Sequence, residues 1–173
     1  MSLQYPIGEY DWPSTITSEM LYTWMPDIEL LPARVAQAIA GLNDTQLDTP
    51  YRPQGWTIRQ VIHHLADSHM NSYIRFKLAL TEDAPTIRPY EEALWAELPE
   101  ARDGDPAISL DLLVALHRRW VIVLNTMGEK ELARTLSHHE LGPLRLDQNV
   151  GLYAWHGNHH LAHITETRDR LGW

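Results

Sequence analysis

Ten histidines and no cysteine stand in a chain of 173 residues, and seven of the ten fall in two short stretches. His63, His64 and His69 belong to the first; His156, His159, His160 and His163 belong to the second. On a helix, residues four apart stand one above the other. His156/His160 and His159/His163 therefore both have the spacing at which one helix offers two imidazoles to a metal ion. At about 100° per residue, His156, His160 and His163 fall within an arc of roughly 60°, shared with Asn149, Leu152 and Thr167. One helix cannot surround an ion, so a third ligand must come from another segment. The first stretch can supply it, but periodicity leaves the choice open. His69 lies near the centre of the apolar stripe Ile58, Ile62, Leu65, Phe76 and Leu80. His64 lies about 120° from that centre, beside Val61, Ser68, Asn71 and Arg75, and His63 is the one expected at the surface.

Three imidazoles make a His₃ site. Catalytic zinc typically has three protein ligands and one open position, and imidazole also suits nickel, copper and iron. An open position lets a bound water or thiol lose a proton near neutral pH. The plainer reading is that a lone His on an apolar face is a hydrogen-bonded core residue, and that a His-rich face is merely solvated. His117, His138 and His139 show no partner pattern and read as structural or exposed, with a loop metal contact at His138-His139 as the alternative. Asp67, three residues after His64, could orient an imidazole or be a surface charge. Asn71 and Arg75 continue the His64 face and suit a polar substrate, or a surface ion pair. His163 is a further candidate for the pocket or for support of a ligand. Trp155, next to His156, is the favoured pocket wall. Tyr5 to Tyr10 could form a covering arm or a docked terminus. There is no Gly-rich phosphate loop and no Gly-x-Ser-x-Gly elbow.

Four helical segments would position these groups. Leu21, Trp24, Ile28, Leu31, Val35 and Ile39 are spaced by three or four and predict a helix over 17–40, capped by Thr17 or Ser18. Pro26 and Pro32 inside it predict a kink or break. Residues 42–56 read as a loop. A long helix follows over 57–81, without Gly or Pro. Residues 82–108 carry Pro85, Pro89, Pro99 and Pro106 and read as a long loop with one short helix near 90–98. A third long helix is expected over 109–127, then a turn of helix at 129–134. Leu136–Glu140 and Leu144–Asp147 flank Gly142-Pro143 as a small β-hairpin. The last helix is expected over 148–171. The expectation is one all-α domain over 1–173, a four-helix bundle whose long second connection leaves room for a crossover.

Composition limits the partners. With 14 Lys+Arg against 23 Asp+Glu the net charge is -9. Nucleic acid and anionic membrane surfaces both need positive charge, so neither is an expected partner. The absence of cysteine excludes disulfides, thiol nucleophiles, Cys-ligated zinc and iron–sulfur clusters. Met1–Pro6 shows neither a basic nor an apolar leader region. No apolar run approaches the ~18 residues of a membrane span. A cytoplasmic protein is expected.

At the histidine blocks the chain resembles the DinB-like metalloprotein superfamily, in its YfiT branch. The matching blocks are Tyr5-Pro6-Ile7-Gly8-Glu9-Tyr10, Pro50-Tyr51-Arg52, Gly55-Trp56 through Phe76, Ile87-Arg88-Pro89-Tyr90-Glu91, Gly151 through His156, His159 through Ile164, and Gly172-Trp173. The resemblance covers nearly the whole chain. It implies a four-helix bundle holding one divalent metal, zinc or nickel, on three histidines. One ligand is the His immediately before Leu-Ala, here His64; the others are the His after Trp, His156, and the second of the His-His pair, His160. It implies a metal-dependent hydrolase, or a thiol S-transferase using a low-molecular-weight thiol such as bacillithiol on a small electrophile, and a homodimer. Asp67, Asn71, Arg75 and His163 remain the candidates for catalytic support. The competing expectation is a non-catalytic metal-binding or stress-associated dimeric bundle.

Overall fold

A computed structural model describes residues 2–173. Four long helices dominate: α1 (Ser18–Ile39), α3 (Ile58–Thr81), α6 (Pro106–Asn125) and α8 (Leu146–Leu171). Short helices α2 (Asp44–Leu47), α4 (Glu92–Trp95), α5 (Pro99–Asp103) and α7 (Glu129–Leu132) sit in the connections. A hairpin of β1 (Thr135–His138) and β2 (Gly142–Arg145) precedes α8.

Local chemistry sets the ends. The Thr17 hydroxyl accepts from the Met20 amide to start α1. Thr57 and Gln60 form a reciprocal capping box at the start of α3. Gly172, at φ 74°, closes α8 in the left-handed conformation that a side chain resists. Three expectations need correction. The α1 helix is not broken at Pro26 or Pro32. Residues 82–105 contain two short helices, and α6 begins at Pro106, whose missing N–H is harmless in a first turn. The hairpin strands and the start of α8 are shifted by one to two residues, because Gln148 caps the Arg145 amide and starts α8 at Leu146.

The long helices pack as α1 on α8 and α6, and α3 on α6 and α8. Two apolar clusters divide the core. One contains Ile28, Phe76, Trp120, Leu124, Val150 and Tyr153. The other contains Leu31, Val35, Ile62, Leu65, Leu113, Leu161 and Ile164. Going up the chain, α1 and α8 pass from the first cluster to the second, whereas α3 and α6 pass from the second to the first. The adjacent helices α3 and α6 therefore run in the same direction, which requires the long crossover over 82–105. Arg59 pins that crossover: its buried guanidinium binds Asp48 at 2.7 Å, Asp44 at 2.9 Å and the Gly104 carbonyl at 2.9 Å.

Between the two apolar clusters lies a layer of imidazoles. His69 from α3, His117 from α6, and His156 and His160 from α8 occupy the change-over between clusters on their helices. His69 is wholly buried and His117 nearly so.

Candidate metal centre

The packing of α3 beside α8 brings together residues almost a hundred positions apart. His64, His156 and His160 each offer a ring nitrogen, and the three nitrogens lie within 4.8 Å of one another. Among the described residues, no other group of three or more His, Asp or Glu side chains meets that spacing. The Nε2 atoms of His64 and His156 are 3.2 Å apart. Two nitrogens bound at about 2.0–2.1 Å to one tetrahedral ion stand about 3.3 Å apart, so this pair fits. Burial holds all three rings neutral. It lowers His64 to about 3, helped by the charges of His163 and His159. It also holds His156 and His160 well below the ordinary value, helped by neighbouring imidazoles. A neutral ring with an available lone pair is what a metal ligand requires.

These nitrogens face an open cavity of about 420 Å³. Trp56 forms one wall, its ring centre 4.6 Å from that of His64 and 6.3 Å from that of His160. Ser68 Oγ lies 3.4 Å from Tyr153 Oη and 3.5 Å from His156 Nε2. Arg75, His138 and the carboxylates Glu92 and Glu140 also line it, His138 carried in by the hairpin. His138 lies below its ordinary pKa through partial burial and the nearby Arg75 charge.

The other sequence candidates are dispersed. Arg75 lines the cavity, but Asn71 lines a separate groove with Arg88, Tyr90 and Trp95, and donates to the Asp67 carbonyl. No hydrogen bond joins Asp67 to His64; burial and then Glu100 push the Asp67 carboxyl up to about 6. His163 Nδ1 is 3.3 Å from His160 Nδ1, and its Nε2 is 3.1 Å from the Gln4 carbonyl oxygen. His63, expected at the surface, is buried because α6 and the crossover cover it; its ring nitrogens meet Ser109 Oγ at 2.7 Å and the Gly104 carbonyl at 3.3 Å. His117 is buried as well. Trp155 is not a cavity wall: it stacks on His159 and donates to the Gly8 carbonyl, fixing the N-terminal arm on α8. Sequence reasoning missed Trp56 and Tyr153 as lining residues and weighed His138 only as a loop metal contact. Tyr153 carried a signal, three residues before His156 on the same helical face. Trp56 and His138 sit on loop and hairpin, and only tertiary folding brings them in.

Inward-facing histidines from two helices beside an open cavity are the arrangement with which four-helix bundles build metal sites in their cores. The chain belongs to the DinB superfamily, whose family profile matches residues 27–164. A relative from Bacillus cereus (strain 03BB102) is 54% identical over 171 residues, covering 99% of this chain and 98% of its own. One from Bacillus mycoides is 53% identical with the same coverage. Both carry the name "Putative metal-dependent hydrolase". The solved structure of YfiT from Bacillus subtilis, described as "a probable metal-dependent hydrolase with an unusual four-helix bundle topology", superposes with a TM-score of 0.96. It is 50% identical, covering 99% of this chain and 98% of that one. No helix among the described residues is long and apolar enough to cross a membrane.

Proposed function

We propose that this protein is a metal-dependent hydrolase whose divalent ion, zinc or nickel, is held by His64, His156 and His160. The observation that carries the reading is the convergence of three imidazoles, two buried and His156 half-buried, on one side of an open cavity. A structural zinc site is usually closed by four protein ligands. Three ligands beside a cavity favour a site that leaves room for a reactant. A divalent ion supplies Lewis acidity there, lowering the pKa of a coordinated water. The chain's own residues do the rest. Trp56 shields one side of the histidine cluster with an apolar ring, and Ser68 and Tyr153 offer hydroxyls beside His156. Arg75, set among the lining carboxylates Glu92 and Glu140, gives the cavity a cation for an anionic group of the substrate. That cation also favours a second reading. A low-molecular-weight thiol bearing carboxylates, such as bacillithiol, could occupy the same cavity and make the enzyme a thiol S-transferase.

The test is elemental analysis of untagged protein beside His64→Ala, His156→Ala and His160→Ala. About one ion per chain is expected in the wild type and none in the variants, which should remain folded. Retained stoichiometric metal in the variants would overturn the ligand assignment. Ester, amide and thiol-conjugation substrates, offered to depleted and reconstituted protein, then separate hydrolysis from transfer. All three histidines belong to one chain, so a homodimer is not needed to complete the site; sedimentation equilibrium decides that proposal separately.

A further inference from the structure

The imidazole layer forms hydrogen-bonded chains with fixed ends. His117 Nδ1 lies 2.6 Å from the carbonyl oxygen of Ile28. His117 Nε2 lies 3.0 Å from His69 Nδ1, and His69 Nε2 lies 3.2 Å from His156 Nδ1. A carbonyl can only accept, so His117 carries its hydrogen on Nδ1. A neutral imidazole has one N–H, so His117 Nε2 must accept from His69 Nδ1–H. By the same step, His69 Nε2 accepts from His156 Nδ1–H. What remains on His156 is a bare Nε2, the atom 3.2 Å from His64 Nε2.

A second chain obeys the same rule. The Gln4 carbonyl accepts from His163 Nε2–H at 3.1 Å, leaving His163 Nδ1 to accept from His160 Nδ1–H at 3.3 Å. His160 is then also left with a bare Nε2. The hydrogen bonds of His69, His117 and His163 run only to carbonyls and other imidazoles, with no carboxylate partner to hold a second proton, so the one-hydrogen count applies along both chains.

The end of the first chain is built into α1. The Ile28 carbonyl would ordinarily accept from the amide of residue 32, but residue 32 is proline and has no N–H. Pro32 therefore leaves this carbonyl available inside a continuous helix, where His117 takes it.

We propose that His69 and His117 on one side, and His163 on the other, are positioning residues: they transmit the polarity of a main-chain carbonyl to His156 and His160, fixing both as Nδ1–H tautomers with Nε2 lone pairs for a metal. This rests on the ligand assignment above only for the identity of the recipient. The tautomers themselves are properties of the metal-free protein.

The first measurement is a long-range 1H–15N correlation spectrum of the imidazoles in metal-free, 15N-labelled protein. His69, His117, His156 and His160 should each be protonated on Nδ1, and His163 on Nε2. Protonation of His156 or His160 on Nε2, or averaging between tautomers, would overturn the proposal. The second is zinc affinity by chelator competition. His117→Phe and His163→Phe should weaken zinc binding roughly 10- to 100-fold. His117→Gln, whose amide can donate to Ile28 and accept from His69, should restore most of that loss. Pro32→Ala, which returns an amide to compete for the Ile28 carbonyl, should weaken the His156 Nδ1–H signature. A merely structural chain predicts no change in that signature. Unchanged tautomers and affinity in His117→Phe and Pro32→Ala would overturn the proposal, and the wild-type spectrum decides even if a variant fails to fold. Fixed tautomers with no zinc binding in the wild type would uphold the chains and reject the metal reading.

Discussion

Two groups, the buried His117 and the half-buried Asp67, should make stability depend on pH with opposite signs. His117 falls to about 4, chiefly because burial penalises its charged form. The unfolded chain binds its proton near 6.5. The stabilising contribution is thus complete above pH 6.5 and is lost as pH falls towards 4, at up to about 1.4 kcal/mol per pH unit. Urea titrations of metal-free wild type and His117→Phe should show the wild type losing stability relative to the variant over that window; a constant difference would refute it. Asp67 goes the other way. Its carboxyl is pushed from 3.8 up to about 6, by burial and then by Glu100, so the folded state resists its ionisation. Asp67→Asn should stabilise the protein above pH 6, and the gain should vanish below pH 4. Equal gains at pH 4 and pH 7.5 would show that the carboxyl is not the cause.

At the scale of elements, α8 and α1 approach closely because α8 carries glycine at the contact. A Cβ on Gly151 would lie 2.5 Å from Tyr10 Oη and 2.8 Å from the Trp24 ring. Overpacking of this kind costs about 1–3 kcal/mol, against a gain of about 1 kcal/mol in helix propensity. Gly151→Ala should therefore lower stability by up to about 2 kcal/mol net, read as a lower denaturant midpoint with an unchanged slope. The four long helices were legible from hydrophobic spacing, and the hairpin from Gly142-Pro143. Helical spacing, a property of sequence alone, offered two i, i+4 pairs, His156/His160 and His159/His163, and the family resemblance pointed to the first. The partner from α3 was not legible from spacing. His63, His64 and His69 are all buried, each against a different neighbour, so an apolar stripe cannot rank them; the family resemblance pointed to His64. Nor could spacing show that Pro32 frees a carbonyl for His117, which requires α6 to lie against α1. Trp155 was misjudged because the arm at Gly8, not the cavity, claims its indole.

For the whole molecule, a metal that joins α3 to α8 would couple binding to folding. A ligand that binds only the native state stabilises by about 2.7 kcal/mol at 100 times its Kd. Thermal melts in zinc or nickel should thus shift upward with metal concentration and fall on chelation, while His64→Ala should melt at one temperature in both conditions. A wild-type melting temperature indifferent to metal would leave the histidines as core residues alone.

The order in which the chain is made gives the topology a cost in time. The most extensive packing of α1 is with α8, so α1 waits for α8 to be made. At roughly 5–20 residues per second, the face carrying Leu31 and Val35 goes without that partner for roughly 6–27 seconds. Nascent chains arrested before α8 should therefore be protease-sensitive throughout α1 and should engage chaperones that hold exposed apolar helices. Release should come abruptly, once Gly151 and Gly157 can seat against the first helix.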